Sequence, residues 1–225
     1  MSESQIHAAY AIAKERYAEY GVDTEKVLNQ LQDFHLSMHC WQADDVKGFE
    51  VQNDAELGSG LAVTGNCPGA ARNIDELRQD ILQAKSLIPG SHRLNLHEIY
   101  GDFQGKRVDR DEVTVDYFQS WIEWAKENDT KLDFNSSSFG HPKSGNLTLA
   151  NPDEGLRKFW VEHTKRCRDI ANAMGEAQQD ACIMNLWVHD GCKDVSVNHA
   201  LYRNLLKQSL DEIFEKKQPM MKDYI

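Results

Sequence analysis

The side chains in this sequence most able to do chemistry are one histidine and two tryptophans, each late in a short apolar segment. His97 stands near the end of one segment, where an imidazole can exchange protons near neutral pH. Trp41 and Trp187 end two others, and an indole there suits the apolar face of a sugar ring. A buried histidine bonded to a backbone carbonyl, and indoles that fill the core, fit the same positions.

Further polar side chains occur at or just beyond the ends of the apolar segments. They are Asp133, Asn135, Asp190, Lys193 and Asp194. Side chains alternate along a strand, so Asp133 and Phe134 must face opposite sides, but the sequence leaves open which one faces inward. His189-Asp190 and Asp44-Asp45 have the chemistry of metal ligands, although solvent-facing carboxylates are the commoner interpretation. The sequence has no phosphate-binding glycine loop, zinc-protease motif or nucleophile elbow.

Four apolar segments are predicted to be strands, and helical patterns lie between them. The strands are expected at residues 35–41, 93–100, 131–135 and 181–187. Strand, loop and helix repeated, with reactive groups where strands end, is typical of a (β/α) barrel, which closes with eight strands. We therefore predict an α/β fold that contains the first four βα units of a (β/α)8 TIM barrel. Its first and fourth strands would keep open edges.

Two helical patterns precede the first predicted strand, and a glycine-rich stretch follows it. Residues 1–34 are predicted to form a helical cap over the barrel's N-terminal end, and residues 35–225 the first half of the barrel. Residues 42–72 form a long loop at the end of the first strand, where a lid would lie. A simple surface insertion is the alternative. Capping boxes are predicted at Asn73 and at Asn151, with Gly175 ending the helix that starts there.

Charge and composition exclude several classes of protein. The net charge of −11 argues against general binding of nucleic acid and of anionic membranes. The five cysteines are scattered without a C-x-x-C pair, which favours reduced thiols in a cytoplasmic protein. The N-terminus lacks a signal-peptide pattern, and no apolar run is long enough to span a membrane.

Several longer motifs together resemble one enzyme family. They are Ser37-Met38-His39-Cys40-Trp41-Gln42, Asp44-Asp45-Val46, Gly48-Phe49-Glu50, the stretch from Ala62 to Arg72, Leu87-Ile88-Pro89-Gly90, Arg93-Leu94-Asn95-Leu96-His97, Trp121-Ile122-Glu123-Trp124-Ala125-Lys126, Leu132-Asp133-Phe134-Asn135 with Phe139 and His141-Pro142, and Met184-Asn185-Leu186-Trp187 with Asp190-Gly191 and Lys193-Asp194. Across nearly the whole chain the sequence resembles the N-terminal half of L-rhamnose isomerase.

The resemblance implies a function, a metal and an assembly. The family folds as a (β/α)8 barrel similar to xylose isomerase, interconverts L-rhamnose and L-rhamnulose with a divalent metal, typically Mn²⁺, and forms cytoplasmic homotetramers. By motif, His97 matches the catalytic histidine near the sugar's ring oxygen, and Tyr100 matches a substrate-binding aromatic position beside it. Trp41, Phe139 and Trp187 match aromatic residues that line the sugar pocket.

The resemblance also implies what this chain lacks. The family's metal ligands and hydrogen-transfer residues lie on the fifth and later strands, and the sequence is expected to end just before the fifth. On its own the chain is therefore expected to bind no manganese and to be inactive. Two alternatives stay open: a non-catalytic half barrel that binds a partner or another copy of itself, and a related metal-dependent isomerase of another deoxysugar.

Overall fold

A computed structural model describes residues 2–39, 48–50, 71–188, 190–191 and 196–225. Helices and strands alternate along most of this length. The helices are α1 (Glu3–Glu19), α2 (Thr24–Leu31), α3 (Ile74–Leu87), α4 (Gln119–Glu127), α5 (Glu154–Gln178) and α6 (His199–Ile213). The strands are β1 (Leu36–His39), β2 (His92–His97), β3 (Lys131–Ser136), β4 (Cys182–Leu186) and β5 (Met221–Tyr224). Short 3-10 turns occupy Glu98–Tyr100, Arg110–Glu112 and Val115–Phe118.

The strands form a five-stranded parallel sheet in the order of the chain, β1-β2-β3-β4-β5. Each described strand pairs with the next in parallel, as His97 does with Asn135. A parallel pair needs a long crossover, and helices α3 to α6 lie in these connections. This α/β architecture is compatible with part of a TIM-barrel-like domain.

The fifth strand corrects the prediction that the chain ends before it. Met221–Tyr224 pairs with β4, and Cys182 lies opposite Met221. Arg168 of α5 donates a hydrogen bond of 3.0 Å to Asp223 and so ties β5 to the helix layer. The outer strands of the described sheet are therefore β1 and β5, not the first and fourth. No pattern in the sequence indicates β5, because Met221 is the one buried residue of this strand and the strand lacks an apolar run.

The two faces of the sheet differ in chemistry. The apolar side chains of β2 and β3 pack into the main core under α3, α4 and α5, and Leu96 and Phe134 are fully buried there. The ring of Phe134 lies 5.1 Å from that of Phe118, edge to face. Asp133 therefore points to the opposite face, which settles the orientation that the sequence left open.

Two helix ends differ from the predicted caps. Asn73 caps α3 by accepting a hydrogen bond from the Glu76 amide, but the Glu76 carboxylate accepts from the Arg72 amide instead of completing a box. Helix α5 is capped by Asp153, two residues after the predicted Asn151. It also runs past Gly175 to Gln178.

Helices α1 and α2 have no buried residue. They are joined to each other by a hydrogen bond of 3.0 Å from the Tyr10 hydroxyl to Thr24, and by a 3.0 Å ion pair between Lys14 and Glu25. Their predicted role as a cap stays a prediction. None of the described helices combines the length and the apolar character needed to cross a membrane.

Candidate functional site

Side chains from the carboxyl ends of three strands meet on the polar face of the sheet. Asn135 Nδ2 lies 2.7 Å from His97 Nε2 and 3.4 Å from His39 Nδ1. The two imidazole centroids are 6.1 Å apart. The register explains the contact, since His97 and Asn135 are paired residues of adjacent parallel strands. An amide thus stands between two imidazoles that the sequence separates widely.

Two aromatic side chains extend this group on the side of β4. The Trp187 ring lies 6.5 Å from the His97 ring and 5.1 Å from the Phe139 ring, edge to face in both cases. Trp187 keeps 41% of its surface exposed, whereas His97 is 1% exposed. A half-open aromatic surface beside a buried imidazole is a suitable wall for a ligand with both apolar and hydroxyl faces. We call His39, His97, Asn135, Phe139 and Trp187 the carboxyl-end cluster.

Both histidines of the carboxyl-end cluster favour the neutral form. Burial lowers the pKa of His97 to about 3, and a protonated His39 and the Arg110 guanidinium act in the same direction. Burial also lowers the pKa of His39. His97 is therefore a neutral imidazole at physiological pH, able to donate or accept a hydrogen bond but not to supply a full positive charge.

Tyr100 lies next to His97 and inside the core. Tyr100 is 0% exposed. Its ring lies edge-on to the rings of His97 and Phe49, with centroid distances of 6.2 and 5.8 Å. Its carbonyl oxygen accepts a hydrogen bond of 2.8 Å from the Trp121 indole. Direct contact between Tyr100 and a sugar stays a prediction.

A buried ion network supports the cluster from the side of the turn after β2, and the sequence did not point to it. Arg110 is 1% exposed and donates to both carboxylate oxygens of Glu50, at 2.9 and 3.0 Å. It also donates to the Ser137 carbonyl at 3.0 Å, and its Nη1 lies 3.5 Å from Glu98 Oε1. Burial raises the pKa of Glu98 to about 8, although Arg110 opposes the rise. Arg110 thus fixes the residues that follow β2 and β3.

The same network anchors residues 48–50, which are the described part of the stretch predicted to be a loop after β1. The Phe49 amide donates a hydrogen bond of 2.7 Å to the Ile99 carbonyl. Gly48 has φ +75°, and a Cβ there would overlap Ile99, so this position requires glycine. With the Glu50–Arg110 pair, residues 48–50 are held against the turn behind His97.

A second polar group occupies the amino end of the same face. Asp133 accepts hydrogen bonds from the Ser37 hydroxyl at 2.7 Å, the Ile183 amide at 2.8 Å and twice from Arg93 at 2.8 Å. Arg93 also donates to Asp180 at 3.0 Å and to backbone carbonyls. We call Ser37, Arg93, Asp133 and Asp180 the amino-end cluster. Asp133, predicted as a reactive strand-end group, belongs to it.

The carboxylate of Asp190 is also occupied by hydrogen bonds within the protein. Its carboxylate accepts hydrogen bonds from the Thr148 amide at 2.6 Å, from the Ala150 amide at 2.5 Å and from the Thr148 hydroxyl. It joins the end of β4 to the loop before α5. The remaining predicted candidates lie outside the described residues, namely Trp41, Asp44, Asp45, His189, Lys193 and Asp194.

The residues of the carboxyl-end cluster do not by themselves fit a divalent metal. The amide of Asn135 lies between the two imidazoles and contacts both. Within residues 2–39, 48–50, 71–188, 190–191 and 196–225, no three His, Cys, Asp or Glu side chains are grouped as a metal site would require.

Sequence comparison with known proteins identifies the family of this chain. The family model of L-rhamnose isomerase (RhaA) matches residues 4–224. The chain belongs to the L-rhamnose isomerase family. It is 69% identical over 223 residues to an L-rhamnose isomerase of Bacteroides thetaiotaomicron, an alignment that covers 99% of this chain and 53% of the relative.

Two further relatives show the same pattern of coverage. An L-rhamnose isomerase of Rhodopirellula baltica is 53% identical, with 95% of this chain and 50% of the relative aligned. One of Listeria monocytogenes is 50% identical, with 96% of this chain and 51% of the relative aligned. The chain thus spans about half the length of the curated relatives it matches.

Proposed function

We propose that this chain forms the sugar-binding half of an L-rhamnose isomerase, which interconverts the aldose L-rhamnose and the ketose L-rhamnulose. The observation that supports the proposal is the neutral His97 beside the half-exposed wall of Trp187 and Phe139. The wall offers apolar rings, and the strand ends offer uncharged hydrogen-bonding groups. This combination suits a deoxysugar, which has one apolar methyl group and several hydroxyls.

His97 has the chemistry needed to assist opening of the sugar ring. Isomerisation moves hydrogen between C1 and C2 and requires the open-chain form of the sugar. A neutral imidazole can donate a hydrogen bond to the ring oxygen as the ring opens, which is where negative charge develops. Phe139 and Trp187 would hold the sugar's apolar face, and Tyr100 would fix the orientation of the His97 ring from behind. Trp41 would line the same pocket.

We propose that the rest of the catalytic apparatus lies in the half of the relatives' length that this chain does not span. The five-stranded sheet would continue from β5 and close into a (β/α)8 barrel. Residues of that half would bind Mn²⁺, which when bound supplies Lewis-acid polarisation of the sugar oxygens. From the resemblance to L-rhamnose isomerase we also propose that the full-length protein is a cytoplasmic homotetramer.

Assays on a protein of the relatives' full length that includes this chain test the proposal. We expect manganese-dependent conversion of L-rhamnose that stops when the metal is chelated. A panel of other deoxysugars distinguishes a related isomerase, which would convert one of them faster.

Residues 1–225 expressed alone are expected to bind no stoichiometric manganese, to show no turnover and to self-associate through the open edges of β1 and β5. A well-folded monomer of these residues that bound manganese and converted L-rhamnose would contradict the placement of the catalytic site. A full-length protein that bound L-rhamnose without converting it would favour the non-catalytic alternative.

A further inference from the structure

We propose that Asn135 is a positioning residue that holds His97 in the tautomer with its proton on Nδ1. The inference rests on the proposed role of His97 in binding the sugar. Asn135 Nδ2 lies 2.7 Å from His97 Nε2. An amide NH2 group only donates hydrogen bonds, so the ring nitrogen opposite it must be the acceptor. The single proton of the neutral ring is then on Nδ1.

The surroundings of His97 favour this tautomer over the one with its proton on Nε2. His97 and Asn135 are each 1% exposed, so bulk water does not compete for the contact. The strands fix the two side chains relative to each other, because His97 and Asn135 are directly paired in the parallel register. The second amide proton points toward His39 Nδ1, 3.4 Å away, so both protons of the same NH2 group have an acceptor.

The charged and titratable groups around the ring favour its neutral form, in which a tautomer is defined. His39 lies on β1 and Arg110 in the turn before α4, and the positive charge of Arg110, or of His39 when it is protonated, disfavours an imidazolium at His97. Glu98 follows His97 in the chain, and burial raises its pKa to about 8, so below that pH it adds little negative charge. Tyr100 and Trp187 contribute aromatic edges.

This assignment has a chemical consequence. With Nε2 engaged by Asn135, Nδ1 is the ring atom that donates, and a donor is what a ring oxygen needs as its C1–O bond breaks. In the opposite tautomer Nδ1 would be an acceptor and would repel the same oxygen. Asn135 would therefore act on turnover through the tautomer that it imposes on His97.

Replacing Asn135 with aspartate reverses the hydrogen bond. A carboxylate only accepts, so Asn135→Asp should force the proton onto Nε2 and raise the pKa of His97. We expect the kcat of the full-length enzyme on L-rhamnose to fall about 100-fold or more, as a wrong tautomer does in other enzymes. A new ionisation should appear in the pH profile of kcat/KM, with further loss on its acid side.

Asn185→Asp is the matched control, because Asn185 is paired with Asn135 on β4 and lies at the same level of the sheet. It adds the same charge without replacing the bond to His97, so its smaller effect measures charge alone. Asn135→Leu is the second test variant, to be used if the aspartate variant does not fold. It should lower kcat at least about tenfold, because neither tautomer is then imposed, and should add no new ionisation.

The results separate this inference from the proposed function. Asn135→Asp that regained wild-type kcat above its new ionisation would overturn the assignment, since it would mean that Asn135 normally accepts from Nε2–H. Unchanged turnover in Asn135→Leu would overturn it as well. If His97→Asn itself left turnover unchanged, the role of His97 would fail, and with it the proposed site.

Discussion

The two polar clusters on one face of the sheet are built in opposite ways. In the amino-end cluster Asp133 accepts four hydrogen bonds and is paired with Arg93, so its charges and lone pairs are satisfied by the protein. In the carboxyl-end cluster the groups are neutral, and the buried oxygen Asn135 Oδ1 has no partner among the described residues. A saturated network stabilises a fold, whereas an unsaturated one keeps hydrogen-bonding capacity for a ligand.

The same contrast appears in exposure. Asp133 and Arg93 have side chains that are 1% and 13% exposed, and they close the sheet at its amino end. Trp187 is 41% exposed, so the carboxyl-end cluster is open on one side. We therefore propose a stabilising role for the first cluster and sugar binding for the second.

The largest expected effect comes from breaking the amino-end cluster. Asp133→Ala leaves the partly buried Arg93 without its main partner and removes the four hydrogen bonds that Asp133 accepts, which should lower the free energy of unfolding by about 3–5 kcal/mol. Denaturant unfolding of the full-length protein measures this. Asp180→Ala is the control, because Asp180 is 42% exposed and should cost about 1 kcal/mol at most. An Asp133→Ala protein of normal stability that had lost turnover would reverse the two assignments.

His97→Asn tests the carboxyl-end cluster. It keeps a polar group of similar reach and removes the imidazole, so turnover of the cyclic sugar should fall about 100-fold or more. Manganese content and stability should be preserved, as metal analysis and unfolding would verify. Loss of metal in this variant would place a metal ligand in this chain, against our proposal.

Much of this architecture could be predicted from the sequence, because apolar segments that end in reactive side chains define β1 to β4 and bring His97 close to Trp187. The exceptions have physical reasons. Strand β5 has one buried residue and forms through pairing with β4, which no local pattern reveals. The Glu50–Arg110 pair joins residues that are 60 positions apart in the sequence. It could not be predicted, because single charged residues in a sequence are ordinarily interpreted as solvent-exposed. The sequence also could not show whether Asp133 or Phe134 faces the helices, because that depends on which face of the sheet the helices cover.

A smaller effect is expected at the aromatic wall. Trp187→Ala removes the surface against which we propose that the sugar packs, and we expect KM for L-rhamnose to rise about tenfold, or about 1.4 kcal/mol. Its cost in stability should stay below the roughly 3–5 kcal/mol typical of a fully buried aromatic residue. Steady-state kinetics with a parallel unfolding measurement would test this. An unchanged KM in the folded variant would remove Trp187 from the site.

The smallest effect concerns the pH dependence of stability. The pKa of Glu98 is about 8 in the folded protein and near 4.5 when unfolded, so its contribution is complete below about pH 4.5 and is lost as pH rises through 8. The lowered pKa values of His97 and His163 act at lower pH, which leaves pH 6.5–8 to Glu98. Glu98→Gln should flatten the decline of the unfolding midpoint across that range. An identical slope in wild type and variant would contradict the assignment.

The most direct test of the two assignments is a crystal structure of the full-length protein with L-rhamnose bound. We predict that the sugar packs against Trp187, lies within hydrogen-bonding distance of His97 and makes no contact with Arg93 or Asp133. The metal should be bound by residues beyond this chain. A sugar bound at the amino-end cluster, or a metal ligated by His39 and His97, would contradict the account.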